Sequence, residues 1–251
     1  MAVELGKRII TSIILFLIAI FCILIHKFVF VSILIVILFI SFNEWRDINY
    51  KYFKKKQHNN WKYFFVQFVG LVYLFIFLST SIALRGNNSE SIAFFIIILC
   101  ICIFSDIGGY VFGKVIGGKK LTKISPNKTI SGSLGSFIFS LLPLFLFNFQ
   151  NYFDSHFDLD FKVYNWAFVS VPSEYETFNF EISLKSILFC LIISLSCQLG
   201  DLFISYFKRL NNVKDAGTVL PGHGGLLDRI DGIIFAIPTA FILIFTQIYL
   251  Y

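Results

Sequence analysis

The chain has 251 residues, 57% of them hydrophobic and only 14% charged, and 33 of them are Phe. That balance excludes a soluble globular domain. A net charge of +6 with no basic domain standing free of apolar sequence argues against nucleic-acid binding as well.

In chain order, residues 9–25 and 28–42 are apolar runs separated only by His26 and Lys27. They are expected to form two spans joined by a tight turn, each somewhat short of the usual ~20 residues. Further spans fit 63–84, 91–113, 133–149, 184–207 and 230–250. The expected fold class is therefore an all-α integral membrane protein, a polytopic bundle of about seven transmembrane helices within a range of seven to nine. Lys7 and Arg8 before the first run resemble the start of a signal peptide. No small-residue cleavage site follows, and a second span comes at once, so a retained anchor is expected. No linker, low-complexity tail or internal repeat divides the chain. It reads as one membrane domain over 1–251, with N-terminal spans poor in site chemistry (1–90) and a catalytic core of spans and loops (91–251).

Charge sets the orientation. With the N-terminus cytoplasmic, 17 of the 21 Lys and Arg fall inside: two before the first span, six from Arg46 to Lys62, five from Lys114 to Lys128 and four from Lys208 to Arg229. The loop at roughly 150–183 carries Asp154, Asp158, Asp160, Glu174, Glu176 and Glu181, which suits the outer face. The positive net charge thus reflects topology first and attraction to anionic headgroups second. The outer loop has no metal-ligand spacing and is assigned no function.

The five cysteines lie within expected spans. A helix would send Cys100 and Cys102 to different faces, so they read as packing residues rather than a metal pair. Asn43, Glu44 and Trp45 mark the inner interface. The KYFKKKQHNN run after them reads as a solvated loop touching lipid heads, a substrate role for its lysines being the alternative.

The chemistry gathers on two inner loops and the helices that feed them. In SDIGGYVFGKVIGGKKLTKISPNKTISGSLG (105–135), Asp106, Gly109, Tyr110 and Gly113 share one helical face. Gly109-x-x-x-Gly113 would let another helix approach closely. Asp106 is either a buried acid paired with a lysine or part of a site, because an acid at membrane depth is costly without a use. Beyond it, Lys119, Lys120, Lys123 and Lys128 crowd a loop broken by Gly117, Gly118 and Pro126, with hydroxyls from Ser125, Thr129 and Ser131. Lysines, hydroxyls and backbone N–H groups near a helix start suit a phosphate. The full GxxxxGK[ST] pattern of a P-loop is absent, since Lys120 follows Lys119 where Ser or Thr is required.

The second loop starts within the preceding span, where Ser194, Gln198, Asp201, Ser205 and Lys208 form one polar stripe. Such a stripe must face protein or a wet cavity. From Ser205 to Asp231 the chain reads SYFKRLNNVKDAGTVLPGHGGLLDRID, with four Lys and Arg, three Asp, one His and four Gly between apolar segments. Asp228 and Asp231 stand one turn apart at a helix start. Asp201 and Asp228 come from different helices toward this loop, and such hard carboxylates beside phosphate suit Mg²⁺. The plain alternative is a pair of structural ion pairs, Asp228–Arg229 and Asp201–Lys208, which leaves the glycines and His223 unexplained. His223 can be a general base, a phosphate donor or a structural partner. Donor or orienter is preferred, because a phosphomonoester is already largely dianionic near neutral pH.

These residues resemble the C-terminal pattern of the phosphatidate cytidylyltransferase (CDP-diacylglycerol synthase) family. Ser205, Lys208, Arg209, Lys214, Asp215, Gly217, Pro221, His223, Gly224, Gly225, Asp228, Arg229 and Asp231 stand at its spacing. The upstream Gln198-Leu199-Gly200-Asp201 is similar too, as are Asp106, Gly109, Tyr110, Ser125, Pro126, Lys128, Thr129 and Gly132. The resemblance covers roughly 100–235. One departure is Ser131, where many members have Glu, so a carboxylate at that position is not available for metal or nucleotide.

The resemblance implies the reaction CTP plus phosphatidic acid to CDP-diacylglycerol plus pyrophosphate, with Mg²⁺ and room for a second cation. It implies catalytic roles for Asp201, Asp228, His223, Lys208 and Arg229. Asp201, Asp228 and Asp231 would be the metal carboxylates. Substrate contacts would fall to Ser125, Lys128, Thr129, Ser205, Arg209, Lys214, Asp215, Gly224, Gly225 and Asp106. A bacterial cytoplasmic membrane is the expected home, with the site on the cytoplasmic side, and a homodimer is compatible by resemblance alone. A CTP-dependent lipid-alcohol kinase is the nearest rival, since it would use the same groups but release CDP. A CDP-alcohol phosphotransferase is set aside because nothing acidic follows Asp231. A transporter or lipid-binding protein would more readily show half-chain repeats or helices broken at mid-bilayer.

Overall fold

The computed structural model describes residues 20–24, 26–56, 60–122, 125, 128–148, 182–211, 213–219 and 224–249. Its regular structure is helical, as it must be for apolar sequence in lipid, where every backbone N–H and C=O has to be satisfied within its own segment. In chain order the helices are α1 (Lys27–Lys56), α2 (Asn60–Arg85), α3 (Ser89–Val115), α4 (Ile130–Ser140), α5 (Leu184–Leu210) and α6 (Leu227–Tyr249). A short helical stretch at 142–148 continues α4. Six helices among the described residues are long and apolar enough to cross a membrane, with Ile130–Asn148 counted as one. Residues 20–24 are helical, and the rest of the expected first span, 9–19 and 25, lies outside the described residues, as does most of the outer loop.

Five of the expected spans match their helices to within three residues at most boundaries. The exception is the run at 28–42. Its helix continues to Lys56, so the KYFKKK expected in a solvated loop is helical instead. No Gly or Pro interrupts 27–60, and Glu, Arg, Lys and Asn cost a helix only tenths of a kcal/mol each, so charge alone did not end it. The break after α4 has the opposite cause. Pro143 lacks an N–H and its ring crowds the carbonyl one turn back, so the regular helical hydrogen bonding is interrupted at Leu141, whose backbone stays in the right-handed helical region, before it resumes.

Two compact units divide the chain: Met1–Ile82 with Ile204–Asp231, and Ala83–Phe203 with Gly232–Tyr251. In the second unit α3 and α4 run antiparallel in close contact through glycines. A Cβ on Gly109 would stand 2.6 Å from Ser136 Oγ, and one on Gly135 would stand 2.5 Å from Phe112 Cβ. The expected close approach at Gly109 and Gly113 is therefore present, met from the facing helix by Gly132, Gly135 and Ser136. Phe94 stacks at a tilt on Phe189 at 5.9 Å, and Phe203 on Phe235 at 5.3 Å, within the same unit. In the first unit α1 packs on α2, with the Trp45 ring over Gly70 and its Nε1–H donating to the Val66 carbonyl at 3.4 Å.

Candidate functional site

The turn between α3 and α4 builds one wall of a cavity. Gly117 and Gly118 take φ of 63° and 106°, a region open chiefly to glycine, and reverse the chain there. The Leu121 N–H then donates to Lys128 O and the Ile130 N–H to Lys119 O, at 2.8 and 3.0 Å, so the loop closes on itself. Thr129 caps α4 by accepting from the Gly132 N–H at 3.1 Å. Ser131 donates to the Gly117 carbonyl and lies 3.0 Å from Thr129 Oγ1, so its hydroxyl ties down the glycine turn. Lys123 and Pro126 lie outside the described residues.

The loop, α3 and the polar stripe of α5 enclose about 370 Å³, within the second unit. Asp106, Ser125, Lys128, Thr129 and Asp201, all singled out from sequence, line it, joined by Tyr110, Ser133, Ser136 and Gln198. Lys128 pairs with Asp201. The Cys197 thiol donates to Asp106 Oδ1 at 3.8 Å. Ser133 donates to Gln198 Oε1 at 2.5 Å, Gln198 Nε2 donates to Ser194 Oγ at 3.3 Å, and Ser194 shares a hydrogen bond with Ser105 at 2.8 Å. Ser194, Gln198 and Asp201 of the stripe thus face a polar interior, as their cost in lipid demanded. Ser133, Ser136 and the Gln198 amide were not picked out as site residues. For Ser133 and Ser136 the available signal was their spacing with Thr129 and Gly132 on one face of α4.

The second group lies in the first unit. Lys208 Nζ donates to Asp228 Oδ1 at 2.6 Å, with each side chain about nine-tenths out of solvent. Asp228 Oδ2 accepts the N–H groups of Ala216 and Gly225 at 2.7 and 3.1 Å, so this carboxylate holds those two backbone positions together beside the start of α6. Gly224 sits beside it with φ of 83°, and an added Cβ there would lie 3.1 Å from Asp228 Oδ2. Among the described residues Asp201 thus pairs with Lys128 and Asp228 with Lys208, where the sequence alternative paired Asp201 with Lys208 and Asp228 with Arg229. Arg209, Lys214, Asp215 and Arg229 lie exposed on this segment and Ser205 and Asp231 are half-buried. His223 lies outside the described residues. Glu44, taken only as an interface marker, is buried and accepts from Leu226 and Leu227.

For a divalent cation, no three His, Cys, Asp or Glu gather among the described residues in the manner of an all-protein cage. Mg²⁺ does not ask for one, since it commonly takes one or two carboxylates and completes its shell with water and phosphate. Asp106 and Asp201 line the same cavity from α3 and α5, with hydroxyls and Lys128 beside them, and are a donor set that fits.

Fold and cavity define a polytopic helical membrane protein that keeps carboxylates, lysine and hydroxyls in a polar pocket among its spans. The chain belongs to the cytidylyltransferase family, whose sequence profile matches residues 48–247. Among curated relatives, a phosphatidate cytidylyltransferase of Staphylococcus aureus (strain COL) is 36% identical over 181 residues, 71% of this chain and 56% of the relative. One of Rickettsia bellii (strain RML369-C) is 36% identical over 178 residues, covering 69% of this chain and 66% of the relative. One of Staphylococcus haemolyticus (strain JCSC1435) is 33% identical over 181 residues, again 71% and 56%. The chain thus spans little more than half the length of the staphylococcal relatives it matches.

Proposed function

We propose that this protein is a phosphatidate cytidylyltransferase, making CDP-diacylglycerol and pyrophosphate from CTP and phosphatidic acid. The observation that carries the reading is the cavity of Asp106, Asp201 and Lys128 at the Thr129-capped start of α4, in a chain of the cytidylyltransferase family. The names of the relatives supply the acceptor.

An oxygen of the lipid phosphate attacks the α-phosphorus of CTP, and the bond from that phosphorus to the bridging oxygen breaks, so pyrophosphate carries away the electron pair. The phosphate arrives already ionised and needs little help from a base, so catalysis is mainly positioning and charge stabilisation. Lys128 and the N–H and hydroxyl groups around Thr129 hold phosphate oxygens, the lysine exchanging its pairing with Asp201 for the substrate's charge. Asp201, with Asp106 beside it, is the carboxylate proposed for Mg²⁺; the same role for Asp228 and Asp231 rests on the resemblance. When bound, the cation neutralises charge developing on the phosphate oxygens. Lys208, Arg209, Lys214 and Arg229 supply further cations, and His223 is proposed as a donor to phosphate. The cavity is proposed to open to the cytoplasm, where CTP is, with lipid entering from the leaflet, in the cytoplasmic membrane of a bacterium, as a homodimer.

The test is purified protein with phosphatidic acid, Mg²⁺ and CTP labelled at the α-phosphorus. Label recovered in the lipid phase with release of pyrophosphate is the expected result. Labelled CDP in water, matched by phosphorylation of an added lipid alcohol, would make the protein a kinase. No turnover with either acceptor would leave a binding or transport role. Asp228→Asn should abolish turnover while membrane insertion persists; normal activity would remove that carboxylate from the mechanism.

A further inference from the structure

Glu44 is a buried acid that this mechanism does not use. It stands on α1 just past the apolar run and is 5% exposed. Its Oε1 accepts the Leu226 N–H at 3.0 Å and its Oε2 the Leu227 N–H at 2.7 Å, 182 and 183 residues away in sequence. Those are two of the donors that a helix start leaves without partners, and the positive end of α6 favours a negative charge there. Among the described residues no cation is paired with Glu44, so the helix start and its amides are what compensate it. Gly217 and Gly225 press against the carboxylate; a Cβ on Gly217 would lie 2.8 Å from its Cδ, and one on Gly225 would lie 2.7 Å from Oε2.

The neighbouring residue makes a second, independent contact. The Trp45 ring packs at 4.7 Å on Phe207, the residue before Lys208. Consecutive residues of α1 therefore hold both partners of the Lys208–Asp228 pair. Trp45 fixes the end of α5 that bears the lysine, and Glu44 fixes the start of α6 that bears the aspartate. Asp228 in turn gathers Ala216 and Gly225.

We propose that Glu44 is a positioning residue for cytidylyl transfer: its carboxylate, seated on the N–H groups that open α6, sets where the Lys208–Asp228 pair and its glycine loop stand. This rests on the reaction proposed above. Glu44→Gln keeps the size and one acceptor oxygen but turns an amide N–H toward a backbone N–H. The full-length variant, purified in detergent, should melt as the parent does. Its turnover number should fall at least about tenfold with KM for CTP little changed, as expected when reacting groups are displaced rather than lost. Amide exchange in a peptide covering 213–228 should be about tenfold faster, while peptides from α3 stay as in the parent.

Unchanged turnover, whether or not exchange quickens, would overturn the proposal and make Glu44 an ordinary buried acid. A loss of turnover that only follows a loss of folded protein would overturn it too. Should Glu44→Gln fail to accumulate, Gly217→Ala crowds the same carboxylate and should show the same split between turnover number and KM. An inactive parent protein would overturn the reaction itself, and that failure is seen before any variant is made.

Discussion

The two ion pairs differ in how far water reaches them, and that decides what each contributes. Lys208 and Asp228 are 11% and 10% exposed, whereas Lys128 and Asp201 are 27% and 34% exposed. Breaking a buried pair by removing one partner costs about 3–5 kcal/mol, because the other charge is left uncompensated. A pair open to solvent is worth roughly 0–1 kcal/mol. Lys208→Met should therefore lower stability by about 3–5 kcal/mol, and adding Asp228→Asn should recover part of that loss without restoring turnover. Thermal unfolding in detergent checks the first statement and label transfer the second; full stability in Lys208→Met would mean that Asp228 is held by its two backbone donors alone. Lys128→Met should leave unfolding within about 1 kcal/mol of the parent. Its kcat/KM for CTP should drop about 10²-fold, on the scale of losing one donor to developing charge. A stability loss without a kinetic one would make Lys128 a structural counter-ion of Asp201.

At the scale of helices and turns, glycines serve two different needs, and substitution separates them. Gly135 has ordinary helical geometry but no room, its Cβ meeting Phe112 Cβ at 2.5 Å and Gly108 O at 2.6 Å. Gly117 has open space around it but a φ of 63°. Gly135→Ala should cost about 1–3 kcal/mol by overpacking and push α3 from α4, displacing Asp106 relative to Thr129 and lowering turnover. Gly117→Ala should cost about 1–2 kcal/mol through its backbone alone. Melting temperatures of the two variants beside turnover decide it, and a Gly135→Ala protein with parental activity would mean the cavity tolerates wider helix spacing. The α3 half of this packing was legible in sequence, because Gly109 and Gly113 recur at helical spacing beside Asp106. Among the cavity residues, Asp106 and Asp201 were legible because an acid within a span is costly without a use, and Ser125, Lys128 and Thr129 because hydroxyls and lysines crowd a glycine-broken loop at a helix start. Glu44 was not, since its acceptor role depends on amides more than 180 residues away, which no local pattern encodes. Nor was the length of α1, because charges signal an interface without signalling the end of a helix.

For the whole molecule, the distribution of charge carries a prediction about sidedness that no single helix supplies. Basic residues concentrate from Arg46 to Lys62 across the end of α1 and the start of α2, from Lys114 to Lys128 around the α3–α4 loop, and from Lys208 to Arg229 across the end of α5 and the start of α6, while acids concentrate between 150 and 183. Translocation penalises Lys and Arg far more than Asp and Glu, so the first set should face the cytoplasm. That is also the side on which CTP must reach Lys128 if the proposed reaction is right. Lys119 and Thr218 are exposed on two of the basic segments, and Ile182 is exposed just before α5 at the acidic one. The native cysteines give little background, because four are buried and Cys100 is half-buried inside α3. In intact cells a membrane-impermeant maleimide should label Ile182→Cys and spare Lys119→Cys and Thr218→Cys, which should react once the cells are opened. The reverse pattern would put the cavity loop outside, away from nucleotide. The chemistry of Asp106, Lys128 and Asp201 would then need a substrate other than cytoplasmic CTP.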